Sequence, residues 1–370
     1  MSAADPAGPG VAVLDGFAPV PLDEAPAVSR LLEELGLGGF DADDVRTRPG
    51  RNRLWFGVTT TGVDVFAKEL TGDPSDVASR WERTLAFHRS AAARQIAHPR
   101  LLGADGEDAV VAFEYLAGVT GVELMVREEF SPSDAAAVGD LVGALHASPI
   151  GDESALRVAH PAERFLKLAS AIPAPLYEQL SMAQLHAWRL LQRDEPLLQA
   201  IRSHLAAPPP RDTLVHGDLR VDQLLRVEGR WLLTDWEEFG AGDPARDVGS
   251  FVGEWMNRAI LDVPTDRGDD RPFDVEEMTH ELMMQRAIEK ILRLQPIVSA
   301  FWSAYAHRRC DVDEAMRRRV VFEAGWHLID RMLASAMDAA RLGGIQRAAA
   351  GIGRAMMIGP EQFGDAIGLA

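Results

Sequence analysis

Val215-His216-Gly217-Asp218-Leu219-Arg220-Val221-Asp222-Gln223, followed twelve residues after Gln223 by Asp235-Trp236-Glu237, is the stretch whose reading decides the fold. Between the two segments lie two apolar-rich runs, Leu224-Leu225-Arg226-Val227 and Trp231-Leu232-Leu233-Thr234. Glu228-Gly229-Arg230 separates them and suits a tight β-turn. A hairpin turning at Glu228-Gly229 sets Gln223 nearly opposite Thr234, with Asp235 the next residue out. Asp218, Gln223 and Asp235 then share one end of the hairpin. Oxygen ligands grouped this way suit a hard cation such as magnesium, which bridges phosphate oxygens while keeping part of its water.

The spacing can be set against the catalytic pattern H-x-D-x-x-x-x-N followed by D-F-G. His216, Asp218 and Asp235 fit it, and Gln223 stands where Asn is expected. The longer string His216-Gly217-Asp218-Leu219, Thr234-Asp235-Trp236-Glu237 and Gly242-Asp243-Pro244-Ala245-Arg246-Asp247 is more specific. It resembles the aminoglycoside phosphotransferase-like family, small-molecule relatives of the protein kinases that include choline, homoserine and antibiotic kinases. The resemblance implies an α+β, bilobal protein-kinase-like fold, with a small antiparallel-sheet N-lobe and a larger, mostly helical C-lobe. It implies ATP or GTP with Mg2+, Asp218 as the group that orients the acceptor hydroxyl and takes its proton, and Asp235 as a metal ligand. Gln223 would be a second metal ligand, and Asp247 and His216 would brace the loop. Where the family often has H-G-D-L-H-P-G-N, this chain has Arg220, Asp222 and Gln223, the last with its amide oxygen on a longer arm. Arg220 could contact a phosphate or an acidic substrate group, or pair with Asp222. Asp222 could itself stand in for the missing Asn, although the hairpin geometry points it the other way.

The 370 residues are enough for two domains or one two-lobed unit. With 47% hydrophobic and 25% charged residues, a sizeable core is expected. No apolar run is long enough to span a bilayer. Met1-Ser2-Ala3-Ala4-Asp5-Pro6 lacks a basic start and an apolar core, and the lone Cys310 cannot form an internal disulfide, so a cytoplasmic protein is expected. A net charge of −18 argues against nucleic-acid binding and favours a cationic acceptor or a basic peptide segment.

Upstream, residues 1–20 are rich in Ala, Gly and Pro and are expected to be flexible. Helical spacing appears from Ala25 to Leu37. Leu54–Val58 and Val63–Lys68 form a strand pair joined at Thr59–Gly62 and fed by a turn over Arg48–Arg53. In Val65-Phe66-Ala67-Lys68 the alternation puts Lys68 on the face of Asp64 and Phe66. This hairpin resembles the first strands of a kinase N-lobe, which makes Lys68 the phosphate-gripping lysine and Gly50 and Asn52 candidates for backbone phosphate contact. Asp76–Gln95 is expected to be helical. Glu82, fourteen positions after Lys68, either orients that lysine or is simply solvated. His98 in the following connector is expected to be structural. Ala109–Gly118 has the pattern of a buried strand running into a bend, and the resemblance makes Glu114, Tyr115 and Leu116 the hinge that bonds a purine.

The remaining chain is expected to be helical. Ser131-Pro132 starts a helix running to about His146, and Ala162–Leu205 is helical with breaks at Ile172–Pro175 and Glu195-Pro196. Ala206–Pro210 is a stiff spacer and Asp262–Pro272 a polar loop that could rim the site. Met278, Leu282, Ile288, Ile291 and Leu292 mark one amphipathic helix, and Phe322, Trp326, Ile329 and Leu333 another, their Met and Trp residues expected in the core. The lobes would comprise residues 21–117 and 118–370, with the loop at 215–223 and the metal segment at 235–237. Three functions stay open: a kinase of a small hydroxylated molecule (aminoglycoside, amino alcohol or sugar), a kinase of Ser or Thr hydroxyls in a biosynthetic precursor peptide with a partner enzyme, and a pseudokinase-like binding module. No membrane or nucleic-acid partner is expected.

Overall fold

The computed structural model of the chain describes residues 21–48, 50–207, 209, 212–269, 279–337 and 339–370. The N-terminal segment 1–20, Pro49, Pro208, Pro210, the end of the polar loop and Met278 lie outside them. The chain divides into two compact units: residues up to His88 with His98–Gly118, and Arg89–Ala97 with Val119–Ala370.

In the first unit, helix α1 (Pro26–Glu34) precedes strands β1 (Arg46–Arg48), β2 (Arg53–Val58) and β3 (Asp64–Glu69). Helix α2 (Pro74–Arg89) and strands β4 (Leu101–Asp105) and β5 (Val110–Glu114) follow. The sheet is antiparallel, in the order β1-β2-β3-β5-β4. Alternation decides its two faces. Trp55, Val65, Ala67, Val110 and Ala112 point to one side, where Val28, Leu31 and Leu32 of α1 cover them. On the other side the pairings Phe56 with Phe66, and Phe66 with Phe113, run a row of aromatic residues across three strands, and Lys68 stands opposite Leu54 and Val111. α2 stops at Arg89, short of the expected Gln95, and a single 3-10 turn follows at Ala92–Arg94.

Arg80, 1% exposed, ties α2 to the turn region of the sheet. Its guanidinium donates to Asp76 Oδ2 at 2.9 Å, Asn52 Oδ1 at 2.9 Å and the Thr71 carbonyl at 2.6 Å. Asn52 Oδ1 also accepts the Thr71 amide at 3.2 Å. A buried guanidinium is tolerated only while its donors are met. Asn52→Ala is therefore expected to cost about 1–3 kcal/mol, read as a lower urea midpoint.

The second unit begins with β6 (Val119–Thr120), α3 (Gly121–Arg127) and α4 (Pro132–Ala147). Ser131 caps α4, with Asp134 completing a capping box. Four helices follow: α5 (Pro161–Ser170), α6 (Ala174–Tyr177), α7 (Met182–Leu191) and α8 (Glu195–Ala206). Pro196 falls in the first turn of α8 behind the Asp194 cap, so it opens that helix instead of breaking it. Strands β7 (Thr213–Val215), β8 (Leu224–Val227), β9 (Arg230–Leu233) and β10 (Gly240–Gly242) come next. The chain closes with α9 (Pro244–Leu261), α10 (His280–Arg309), α11 (Glu314–Ser335) and α12 (Gly344–Ile358). No helix among the described residues is long and apolar enough to cross a membrane.

The C-terminal half of α10 packs on α4 so closely that a Cβ at Gly139 would lie 2.3 Å from the Phe301 carbonyl oxygen. Phe322, Trp326 and Ile329 of α11 are buried with Phe165, Trp188 and Ile201. The N-terminal half of α10 departs from expectation. Ile288 and Leu292 are 55% and 52% exposed, whereas Arg286 and Lys290 are buried. The reason is local: Arg286 donates to the Val263 and Thr265 carbonyls and to Asp269, and Lys290 donates to the Arg267 carbonyl and Asp269. Those bonds pin residues 262–269 and turn the charged side of the helix inward.

Candidate active site

The loop 215–218 is built from its surroundings inward. β7 pairs with β10, Val215 opposite Gly240, and leads into His216, which is fully buried. Gly217 has φ +84°, and a Cβ there would sit 2.3 Å from the Glu238 carbonyl oxygen, so glycine is required. Asp247, in the first turn of α9, accepts the His216 amide at 2.7 Å and the Gly217 amide at 2.9 Å. His146, at the end of α4, gives its Nε2 to the same carboxylate at 3.0 Å and meets the Tyr305 hydroxyl of α10 at Nδ1, 2.9 Å away. His216 Nε2 donates to the Thr234 carbonyl at 2.8 Å, which ties the loop to the end of β9.

Burial alone would raise the Asp247 pKa, yet the hydrogen bond from His146, the charges of His146 and His216 and the His216 amide hold it below the ordinary carboxylate value. A carboxyl with a depressed folded pKa contributes stability that is present above its unfolded value and lost as pH falls through the folded one. Asp247→Asn is expected to cost about 3–5 kcal/mol. The stability gap to the parent should be fully developed above about pH 5 and should narrow below about pH 4, as read from urea midpoints across pH.

The hairpin forms in the register set out from the sequence. Leu224 pairs with Leu233 and Val227 with Arg230, and Glu228 and Gly229 both have positive φ, the requirement of a type I′ turn. Thr234 donates its amide and its hydroxyl to the Gln223 carbonyl, each at 3.0 Å. Asp235 is exposed and left-handed, with φ 67° and ψ 68°. A non-glycine residue held there is strained, and such strain clusters at functional positions.

Gln223 differs from expectation. It is 5% exposed, its Nε2 donates to Asp218 Oδ2 at 3.3 Å, and its Oε1 accepts the Arg220 amide at 3.3 Å. The oxygen expected for a metal is turned to the backbone, and the amide nitrogen orients Asp218. Arg220 pairs with Asp222 at 3.0 Å. Burial would lower the Arg220 pKa, but the charges of Asp218, Asp222, Glu254 and Asp235 raise it, so these four carboxylates surround one guanidinium. Glu254, on α9, is raised by burial but brought below its usual value by His327, 3.3 Å away, and then by Arg331 and Arg220. Glu254 and His327 carried no signal in the sequence, because α9 and α11 bring them to the loop from distant positions.

Within the first unit, Lys68 is 8% exposed on β3. Glu82 lies on the exposed side of α2, whose buried face is Arg80, Thr84 and Phe87. Gly50 is half-buried in the turn before β2, and the Asn52 side chain serves Arg80. The Glu114 amide bonds the Arg100 carbonyl and the Tyr115 amide bonds the Asp64 carbonyl, both 2.9–3.0 Å. Tyr115 stacks on Phe56, with ring centres 5.5 Å apart, and Leu116 follows at the end of this strand. His98 packs edge-on against Phe87.

A second cluster of ligand-type groups joins His160, His204 and Glu323. Glu323 accepts His160 Nε2 at 2.8 Å and His204 Nε2 at 2.7 Å. His160 Nδ1 accepts the Ala162 amide, so Nε2 carries the proton and is not a lone-pair donor to a metal. The cluster is a hydrogen-bonded staple between α5, α8 and α11.

This architecture and loop define a protein-kinase-like phosphotransferase acting on hydroxyl groups. Residues 52–277 match the model of the phosphotransferase enzyme family (APH), and the chain belongs to that family. Among solved structures it is similar to a choline/ethanolamine kinase family protein from Mesorhizobium loti, with 18% identity, TM-score 0.51, and 94% and 99% of the two chains covered. It is similar to an amicoumacin kinase in complex with AMP-PNP and Ca2+, with 14% identity, TM-score 0.52, and coverage of 89% and 92%. A streptomycin–ATP–APH(2")-IIa ternary complex gives 14% identity, TM-score 0.51, and coverage of 85% and 91%. No curated protein matches the sequence.

Proposed function

We propose that the protein transfers the γ-phosphoryl group of ATP, or of GTP, to a hydroxyl of a small molecule of the aminoglycoside, amino alcohol or sugar class. The observation that carries this reading is Asp218, held by the Gln223 amide in a loop clamped through Asp247. Asp218 orients the acceptor hydroxyl and takes its proton. Lys68 neutralises phosphate charge, the turn at Gly50 and Asn52 offers backbone amides to phosphate, and the strand end at Glu114, Tyr115 and Leu116 offers to the purine the backbone groups that the Arg100 and Asp64 carbonyls do not take. The exposed Asp235 carboxylate, a hard oxygen donor at a strained position, fits magnesium, and Asp235 is the residue that would hold it. Bound magnesium supplies charge neutralisation at the phosphates. Gln223 acts through Asp218 as a positioning residue, while Asp247 and His216 brace the loop. Phosphoryl transfer asks mainly for positioning and charge stabilisation, which suits a site made of clamps.

The acceptor side follows from Arg220 among Asp218, Asp222 and Glu254. Glu254 is met by His327 and Arg331, which leaves Asp218 and Asp222 against Arg220, and that surplus of negative charge favours an acceptor that carries an amine. A second reading, phosphorylation of Ser or Thr hydroxyls in a peptide, is favoured by the exposed apolar residues on α10, a surface of the kind that polypeptides cover. Both are consistent with a cytoplasmic enzyme.

Asp218→Asn is expected to lower turnover by roughly 10²–10⁴-fold while leaving nucleotide affinity by calorimetry within a few-fold. Full turnover in that variant would remove Asp218 from its role. In an acceptor screen monitored by mass shift, transfer to amine-bearing small molecules supports the first reading, and transfer to Ser/Thr peptides alone overturns it in favour of the second.

A further inference from the structure

The N-terminal half of α10 is amphipathic the wrong way round for a helix that serves only its own unit. A surface helix normally turns its apolar stripe to the core and its charges to water. Here Arg286 and Lys290 are 8% and 2% exposed, while Met284, Ile288 and Leu292 are 54%, 55% and 52% exposed. The three apolar residues recur at i, i+4 and i+8, so they form one line along the helix. The charged side is fully occupied by residues 262–269: Arg286 and Lys290 both reach Asp269, and Arg293 reaches Asp262 and Glu128. The helix is therefore fixed in this rotation, and its apolar line cannot turn inward without breaking those ion pairs. Farther along α10, from Leu294 to Tyr305, the pattern is ordinary, with Leu294, Ile297, Val298, Phe301 and Tyr305 buried.

We infer that Met284, Ile288 and Leu292 are a docking surface for an amphipathic helix of another protein, one with an apolar stripe flanked by basic residues. The geometry is that of helix-on-helix recognition, read through anchors at helical spacing. The charge of the occupant follows from the exposed neighbours, Glu281 and Glu289, both acidic, with Gln285 between them. The same two glutamates and a net charge of −18 disfavour a second copy of this chain and an anionic lipid surface, each of which would bring like charge to the stripe. The inference is argued from α10 alone, whose apolar line also favours the peptide reading; its test reads binding and not phosphorylation, so failure of one does not decide the other.

The test uses the full chain and two designed helical peptides that share a leucine stripe, one with lysine flanks and one with glutamate flanks. Fluorescence anisotropy is expected to give micromolar binding of the lysine-flanked peptide and binding weaker by roughly tenfold or more for the glutamate-flanked one. Ile288→Asp and Leu292→Asp should each weaken the lysine-flanked peptide by roughly tenfold, although both add negative charge. A purely electrostatic contact would strengthen instead. Both side chains are more than half exposed, so unchanged thermal melting should accompany the loss; Met284→Ser provides a milder variant with the same expected direction. Equal binding of both peptides, or undiminished binding by the three variants, overturns the proposal. So does sedimentation showing a dimer that Ile288→Asp dissolves, or flotation with phosphatidylglycerol vesicles that the same variant abolishes.

Discussion

One buried carboxylate holds the loop 215–218 in shape. Asp247 spends one oxygen on the Gly217 amide and the other on the His216 amide and on His146, whose far nitrogen meets Tyr305. Four elements thus meet around one side chain: the loop after β7, the start of α9, the end of α4 and, through His146, the C-terminal end of α10. A buried charge with unmet lone pairs would be costly, so removing any donor penalises the whole arrangement. The loop backbone cannot drift, and Asp218, one residue beyond Gly217, inherits that rigidity.

Around this anchor, two positions of the candidate site hold unusual backbone conformations. Gly217 takes a backbone conformation that its neighbour Glu238 closes to any Cβ, and Asp235 adopts a left-handed conformation without the excuse of being glycine. Between them the hairpin turns through Glu228 and Gly229, both at positive φ. The apolar pairing of Leu224 with Leu233 supplies the regular structure against which these departures are held. Gln223 closes the assembly by joining Asp218 to the Arg220 backbone. Its longer side chain reaches back across its own turn, and its oxygen is thereby committed within the loop.

Much of the site was legible in the chain because it is local. The hairpin register follows from the length of two apolar runs and the Glu228-Gly229 turn. The Ser131 cap, with its return bond to Asp134, is a four-residue pattern. Strand alternation correctly put Lys68 on the side opposite Val65 and Ala67. What failed to show was non-local. The short strand β1 has no periodicity to read, being three residues long. Arg80 looked like any helix arginine until Asn52 and Thr71 were brought to it. The apolar spacing of α10 is genuine, yet Asp262 and Asp269 compete for the opposite side of the helix and win it.

The sequence by itself determined that Asp218, Gln223 and Asp235 share one end of a hairpin, because turn chemistry and strand register act over a few residues. It also determined the helical character of the chain beyond Asp247 and the absence of any internal disulfide, since there is one cysteine. Tertiary structure alone decided which partners those residues meet. Gln223 faces Asp218 and the Arg220 amide, Glu254 and His327 join the Arg220 neighbourhood from α9 and α11, and α10 turns its charges inward. Each of these depends on contacts between residues far apart in the chain, whose desolvation and hydrogen-bond costs are set only when the helices pack.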